Sequence, residues 1–423
     1  MWLNERIREC KMKNENVYIL GGFQTDFARN WARENKHIAA MMREAYQGSI
    51  ESINIDPGDI KAAFIGNFAG ELYCMQGHLG AFFVDFDPRF VGLPTMRFEA
   101  ACASGAVAAL AAMAHIQAGI YDLLCVMGVE LMKTADSAKG GDYLGTAAWY
   151  EKECVGIEFP FPKLFGKLGD EYDRRFGLDN KYLARIAKIN YSNAKNNPNA
   201  QTRDWFMNFE HANTVSEYNP VIAGRIKASD CSQITDGAVC LYLASETYAA
   251  KYAKQRGLAL KDIPSVLGWG HTTAPIEFVK KVADSADNEY VLPMTRKAIT
   301  DAYHRAGIKD CWDLDTIETH DCFTTSEYMA IDHFGLTKPG ESFKAIEEGI
   351  IEFKGKLPIN PSGGLIGCGH PVGATGIRQL LDAYKQTTDT AGDYQVPGAK
   401  KVATLNIGGS ATTNVCFIVG ING

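Results

Sequence analysis

The chain has 423 residues, long enough for two or three units that each bury a core. Apolar residues make up 46% and charged ones 22%, the balance of a globular protein and not of a disordered one. A formal net charge of −7 leaves no basic excess to neutralise phosphates, which excludes nucleic acid as the main partner. Eleven cysteines are scattered without a CxxC pair, the usage of reduced thiols, so a cytoplasmic protein is expected. Residues 1–16 read as a charged extension without the apolar centre of a secretory signal. The longest apolar stretch, Ala100 to Ala114, is too short to span a bilayer, and the ending Gly420-Ile421-Asn422-Gly423 is not the Ser-Lys-Leu peroxisomal address.

Val17 to Leu20, followed by Gly21-Gly22, predicts a buried strand closed by a turn. Ile38 to Ser52 carries apolar residues at helical spacing, and Ala62 to Ile65 before Gly66 is a second short strand. The run Cys102-Ala103-Ser104-Gly105-Ala106-Val107-Ala108-Ala109-Leu110 follows. Its small residues favour a helix buried on all sides, with Cys102 expected in the first turn. There the positive end of the helix would favour a thiolate, which makes Cys102 a candidate nucleophile. Leu123 to Met127 before Gly128 is another strand. Short apolar strands alternating with helices predict α/β layers around a buried mixed or parallel sheet.

From Leu131 to Ala228 the composition turns polar and aromatic, with Tyr143, Trp149, Phe159, Phe161, Phe165 and Trp205 among its rings. One amphipathic helix is predicted inside, from Asn180 to Ala194. A hundred residues are too many for a connecting loop, so 131–228 is expected to be an inserted domain that covers a site. Strand character resumes at 236–244, followed by helices at 294–306 and 325–334 around a strand at 316–319. A helix at 374–384 and a hairpin of 401–406 with 413–419 close the chain. The second half repeats the order of the first, so two similar halves are expected: 17–130 with 229–275, and 276–423.

Two further clusters carry chemistry. His320-Asp321-Cys322-Phe323 directly follows a strand, where α/β sheets gather catalytic groups. Asn360-Pro361-Ser362-Gly363-Gly364-Leu365-Ile366-Gly367-Cys368-Gly369-His370-Pro371-Val372-Gly373 forms a glycine-rich loop that holds an imidazole rigidly at a helix start. With Cys102 these clusters supply a nucleophile, a base and a second acid/base, the minimum for acyl transfer through a thioester. His320, Cys322, Cys368 and His370 could in principle ligate zinc, but they lack the spacing of structural zinc motifs, and no metal is expected. No GxGxxG after a strand and no GxxxxGK[ST] supports a nucleotide fold.

Cys-Ala-Ser-Gly at 102–105, His-Asp-Cys-Phe at 320–323 and Gly-His-Pro-Val-Gly-Ala-Thr-Gly at 369–376 together resemble the thiolases over nearly the whole chain. Ser229-Asp230-Cys231 and Asp236-Gly237-Ala238 are similar to the point where the thiolase cover domain rejoins the core. The common Asn-Glu-Ala-Phe and C-terminal Cys-x-Gly motifs are replaced by His320-Asp321-Cys322-Phe323 and Asn406-Ile407-Gly408, as in the sterol-carrier-protein type. The resemblance implies two βαβαβαββ halves in a five-layered αβαβα body with an inserted cover domain, in a homodimer or larger oligomer. It implies Cys102 as nucleophile, His370 as its activating base and Cys322 as the acid/base at C2 of the substrate. His320 and His370 would form one oxyanion site, and the N–H groups of Cys102 and Gly408 the other. Coenzyme A enters as a substrate, with no bound cofactor, and the cover domain, 131–228, is expected to contact it.

The reaction implied is CoA-dependent cleavage of a 3-oxoacyl-CoA, with the aromatic insertion pointing to a bulky or aromatic acyl group. Three alternatives stand beside it. One is synthesis of acetoacetyl-CoA, and another is a subunit active only beside a small OB-fold, zinc-ribbon partner. The third, a decarboxylating ketoacyl synthase, is disfavoured by Cys322. Cys368 and His115 read as packing residues, and Asp321 as a holder of loop geometry.

Overall fold

The computed structural model describes residues 16–421, so the expected extension lies, apart from Asn16, outside the described residues. The first half contributes β1 (Val17–Gln24), α1 (Ile38–Ile53), β2 (Ala62–Gly66), β3 (Thr95–Phe98), α2 (Ser104–Gln117) and β4 (Leu123–Glu130). The insertion carries α3 (Pro160–Phe176), α4 (Asn180–Ala194) and a small hairpin of β5 (Val221–Ala223) and β6 (Ile226–Lys227). β7 (Gly237–Ala244) and α5 (Glu246–Gln255) complete the first half. The second consists of β8 (Ser265–Thr273), α6 (Phe278–Asp284), α7 (Pro293–Ala306), β9 (Thr316–Glu318), α8 (Thr324–Phe334), α9 (Gly364–Cys368), α10 (Thr375–Thr387), β10 (Lys401–Gly408) and β11 (Thr413–Gly420).

The strands run in the order β3-β2-β4-β7-β1-β8-β11-β10-β9. Each half repeats one topology, with its first strand innermost and its last two antiparallel beside it. The inner strands β1 and β8 meet over only Val17 with Val266 and Tyr18 with Ser265. β8 pairs along its length with β11, which places 265–273 in the second half and not in the first, where the sequence division at 275 had it. The second half lacks a full third strand: Ile359 makes a single parallel bridge to Ile317 where the first half has β3. β1 does not stop at Gly21-Gly22, either. It runs to Gln24 through a bulge, where Gly22 passes so close to β7 that a Cβ would lie 2.0 Å from the Cys240 carbonyl oxygen.

β4 and β7 are buried along their whole length, which explains their unbroken apolar runs. α1 covers β1 and β7 on one outer face, and α7 covers β8 and β11 on the other. Between the strands of the two halves lie α2, packed on β2 and β4, and α10, packed on β10, β11 and β1, so helix and sheet layers alternate as expected. The central helices cross at their N-termini through glycine. A Cβ on Gly105 would lie 2.7 Å from the Gly373 carbonyl oxygen, and one on Gly376 would lie 2.4 Å from the Ala106 nitrogen. This contact brings the residues preceding each helix, Cys102 and His370, to one place.

Candidate active site

Cys102 sits before α2, not in its first turn, since Ala103 is the N-cap. Ala101 adopts a left-handed φ of 52°, a conformation that costs an alanine about 1–3 kcal/mol. Neighbouring polar groups hold it there. The Ala101 N–H donates to Glu99 Oε1 (2.5 Å), and Ser104 Oγ accepts from the Ala100 N–H (3.0 Å) and donates to the Ala101 carbonyl (2.6 Å). The turn presents a half-buried Cys102 side chain to a cavity that Gly409 also lines. Burial outweighs the helix end and pushes the Cys102 thiol up to about 12, reversing the expected depression. A base must therefore take its proton.

Two imidazoles face it. The ligating atoms of Cys102, His320 and His370 all lie within 4.8 Å of one another. The His370 and His320 rings meet edge to face with centroids 5.1 Å apart. Thr375 Oγ1 donates to the Pro371 carbonyl (3.1 Å) and so accepts from His370 Nδ1 at 2.7 Å. That bond puts the ring hydrogen on Nδ1 and leaves Nε2, which has no hydrogen-bond partner, as a free lone pair. Burial holds His370 down at about 3, so the ring is neutral and basic in form. In His320 the polarity is opposite: Asn406 Nδ2 donates to Nδ1 (3.1 Å), which leaves Nε2 to carry the hydrogen. Burial, with His370 nearby, also keeps His320 neutral.

Cys322 lines the same cavity as Cys102 and His370, and burial raises its thiol well above the ordinary value. The structure thus brings Cys102, His320, Cys322 and His370 together. Gly408 packs its backbone under the nucleophile turn, where a Cβ would lie 2.2 Å from the Ala100 carbonyl oxygen. Its neighbour Gly409 lines the cavity beside Cys102. Cys368 is turned away, its sulfur against Asn197 Nδ2 (3.6 Å) and Gln24 Nε2 (3.9 Å), so the four-residue zinc set is not assembled.

Asp321 holds the loop, as read from sequence. Its carboxylate accepts the N–H groups of Leu365 (2.6 Å) and Ile366 (3.1 Å) and the Asn190 amide (2.9 Å). Sequence reasoning missed Glu130, a fully buried carboxylate that accepts from Phe68 N, Ala69 N, Gly373 N and Asn67 Nδ2. It ties the turn after His370 to the end of β4. Also missed was a buried chain in which Arg378 donates to Asp382 (2.6 Å) and Ser362 (2.7 Å), while Ser362 donates to Glu318 (2.6 Å). The available signal was an acid closing an apolar strand: Glu130 after Leu123–Val129 and Glu318 after Thr316-Ile317.

The cavity measures about 300 Å³ and is lined by no charged side chain. Phe159, Phe161 and Phe165 of the insertion line it together with Phe68, Phe323 and Val372. Phe165 stacks on Phe323 at 4.7 Å, fastening the insertion to the His320–Phe323 loop. Asp236 fixes the insertion's entry, accepting the N–H groups of Met132 (2.8 Å) and Lys133 (2.8 Å). The insertion supplies part of the cavity lining. Not all its rings do so, since Phe206 and Trp205 lie at the surface. Among the described residues no helix is long and apolar enough to cross a membrane.

An uncharged pocket beside two thiols and two neutral imidazoles, at the crossing of two buried helices, has the groups that nucleophilic acyl transfer needs. Residues 17–208 match the family description "Thiolase, N-terminal domain", and 277–421 match "Thiolase C-terminal domain-like". An acetyl-CoA acetyltransferase of Methanothermobacter thermautotrophicus is 31% identical over 95% of this chain and 99% of its own length. Human sterol carrier protein 2 is 28% identical over 93% of the chain and 70% of its length. Human mitochondrial 3-ketoacyl-CoA thiolase superposes with a TM-score of 0.68 at 15% identity, over 97% of this chain and 99% of that one. A structure titled "Ltp2-ChsH2(DUF35) aldolase" superposes with a TM-score of 0.73 at 18% identity, over 96% and 98%. The chain belongs to the thiolase superfamily, among whose acyltransferases is the acetyl-CoA acetyltransferase that is 31% identical to it.

Proposed function

We propose that the protein cleaves a 3-oxoacyl-CoA carrying a bulky apolar acyl group, using free CoA, through an acyl-enzyme on Cys102. The observation that carries this reading is the meeting of Cys102, His320 and His370 within 4.8 Å beside an uncharged cavity of about 300 Å³. His370 Nε2 takes the Cys102 proton as the sulfur attacks the 3-oxo carbon. The oxyanion formed there is met by backbone N–H groups of the Cys102 turn and the 408–409 turn. Breakage of the C2–C3 bond leaves a thioester on Cys102 and an acetyl-CoA enolate, whose oxygen is met by His320 Nε2–H. The Cys322 thiol protonates C2, and acetyl-CoA departs. The thiol of free CoA then gives its proton to the Cys322 thiolate and attacks the thioester, releasing the shortened acyl-CoA and the Cys102 thiolate, which His370 reprotonates. The same reading has the protein cytoplasmic, without a resident cofactor, and dimeric or larger, in keeping with an unpaired edge strand β3 whose Met96 is exposed.

Acetoacetyl-CoA synthesis is the second reading, favoured by the acetyl-CoA acetyltransferases of Methanothermobacter thermautotrophicus and Methanocaldococcus jannaschii at 31% and 29% identity. The complex named in the solved aldolase structure supports a third arrangement, an accessory subunit. Assaying the purified chain alone with 3-oxo-3-phenylpropanoyl-CoA, with acetoacetyl-CoA, and with acetyl-CoA in the condensing direction separates them. Thiolysis of the aromatic substrate with the higher kcat/KM is expected. Turnover of acetoacetyl-CoA alone contradicts the bulky acyl group, and no turnover without an added partner supports the accessory subunit.

A further inference from the structure

We propose that Lys281 is a positioning residue that holds the 408–412 turn against the nucleophile, and that through it the inserted domain is tied to Cys102. This inference rests on the acyl-enzyme reading above.

Lys281 lies on α6, far from Cys102 in sequence, and is buried. Its ammonium donates three hydrogen bonds: to the Ser410 carbonyl (2.6 Å), Ser410 Oγ (2.6 Å) and Thr412 Oγ1 (2.8 Å). Three donors meet three acceptors, so the charged form is fully bonded, yet none of those acceptors is a carboxylate. A buried cation without a touching counter-ion adds little stability, and an apolar side chain of that length would pack at lower desolvation cost. What it holds gives the reason. The turn between β10 and β11 places Gly409 and Ala411 at φ of 63° each, relaxed for the glycine and strained for the alanine. Gly409, one residue from the clamped Ser410, lines the cavity beside Cys102, and Gly408 packs so closely on the nucleophile turn that a Cβ would lie 2.2 Å from the Ala100 carbonyl oxygen.

The other side of the clamp belongs to the insertion. Glu153 Oε1 accepts the Phe278 N–H at the start of α6 (2.7 Å), and a Cβ on Gly409 would lie 2.7 Å from the Ala147 carbonyl oxygen. The segment 147–153 therefore touches the catalytic turn directly and also supports the helix that carries Lys281. Burial draws the Lys281 ammonium down to about 7, with Glu153 the acid that opposes the shift.

Lys281→Met tests this, with Lys281→Arg as the conservative variant and Thr412→Val removing one acceptor from the far end. The readout is iodoacetamide alkylation of the Cys102 peptide by mass spectrometry from pH 6 to 10, beside kcat and KM. Release of the 408–412 turn from the nucleophile in Lys281→Met should shift the Cys102 alkylation profile up by about one pH unit, slow alkylation at pH 8 about tenfold, and lower kcat with KM unchanged. Lys281→Arg should recover most of the rate, and Thr412→Val should slow it about threefold. A folded Lys281→Met with the wild-type alkylation profile and kcat overturns the proposal. If Lys281→Met does not fold, an unchanged profile in Thr412→Val overturns it. A wild-type protein that fails to turn over any 3-oxoacyl-CoA defeats the acyl-enzyme reading instead, and the alkylation shift is still read independently.

Discussion

Gly376 of α10 lies directly against Ala106 of α2, so close that a methyl group on it would come within 2.4 Å of the Ala106 nitrogen. The contact is between backbones, so neither side can yield by a rotamer change. It sets the spacing of the two central helices, and with it the spacing of Cys102 and His370. Gly376→Ala should destabilise the fold by about 1–3 kcal/mol from overpacking and lower thiolysis at least tenfold even where the variant remains folded. A thermal melt and a rate at 25 °C check both, and wild-type values for both would refute this account of the crossing.

Thr375 fixes which nitrogen of His370 is free. Thr375→Val removes the acceptor for Nδ1–H and strands that donor in a buried place, while conserving shape. We expect kcat to fall about 10–100-fold with little change in KM, because the base and not the binding surface is disturbed. A fall in affinity with kcat intact would contradict the tautomer assigned here.

The pH dependence has a definite sign. His370 is held down at about 3, below its ordinary 6.5, by burial. Its contribution to stability is therefore fully present above about 6.5 and is lost as the pH falls toward 3. Glu130 and Glu318, raised to about 7 by burial, act oppositely, contributing most below their ordinary 4.5 and losing it as the pH rises through 7. Comparing His370→Asn with the wild type isolates the first effect: the melting temperature of the variant should gain on the wild type as pH drops from 6.5 to 4. In activity, kcat/KM should show no acidic limb near 6.5, and such a limb would mean that the imidazole is exposed to solvent protons.

The acyl pocket is open to a steric test. Gly141 lines the cavity and its missing Cβ points at Phe159 (3.1 Å). Gly141→Leu should lower kcat/KM for an aromatic 3-oxoacyl-CoA at least tenfold and leave acetoacetyl-CoA within about twofold, since filling a pocket penalises the larger group. Equal losses on both substrates would place the acyl group elsewhere.

Much of this arrangement can be read from sequence because local chemistry and tertiary role agree. The alanine run after Cys102 makes a buried helix, the continuous apolar strands make a doubly covered sheet, and Asn180–Ala194 is a helix with the bounds its periodicity predicts. His370 is legible from the glycine-rich turn that holds it, and His320 and Cys322 from their place directly after a strand. What escaped is what depends on distant partners. Nothing local marks Arg378 or Lys281 as buried, since their charge is paired or bonded only after folding. β8 looked like an ending of the first half because its partner β11 lies over 140 residues on, as Trp269 opposite Phe417 shows. The thiol of Cys102 was misjudged for the same reason. A helix start is visible in sequence, but the desolvation that overrides it is not.

The measurement closest to the central claim is the mass of the protein after mixing with a bulky 3-oxoacyl-CoA in the absence of free CoA. The account predicts one added acyl group, mapped to the peptide holding residue 102, absent in Cys102→Ala and discharged when CoA is supplied. An acyl group on Cys322, or product formed at full rate by Cys102→Ala, would contradict it.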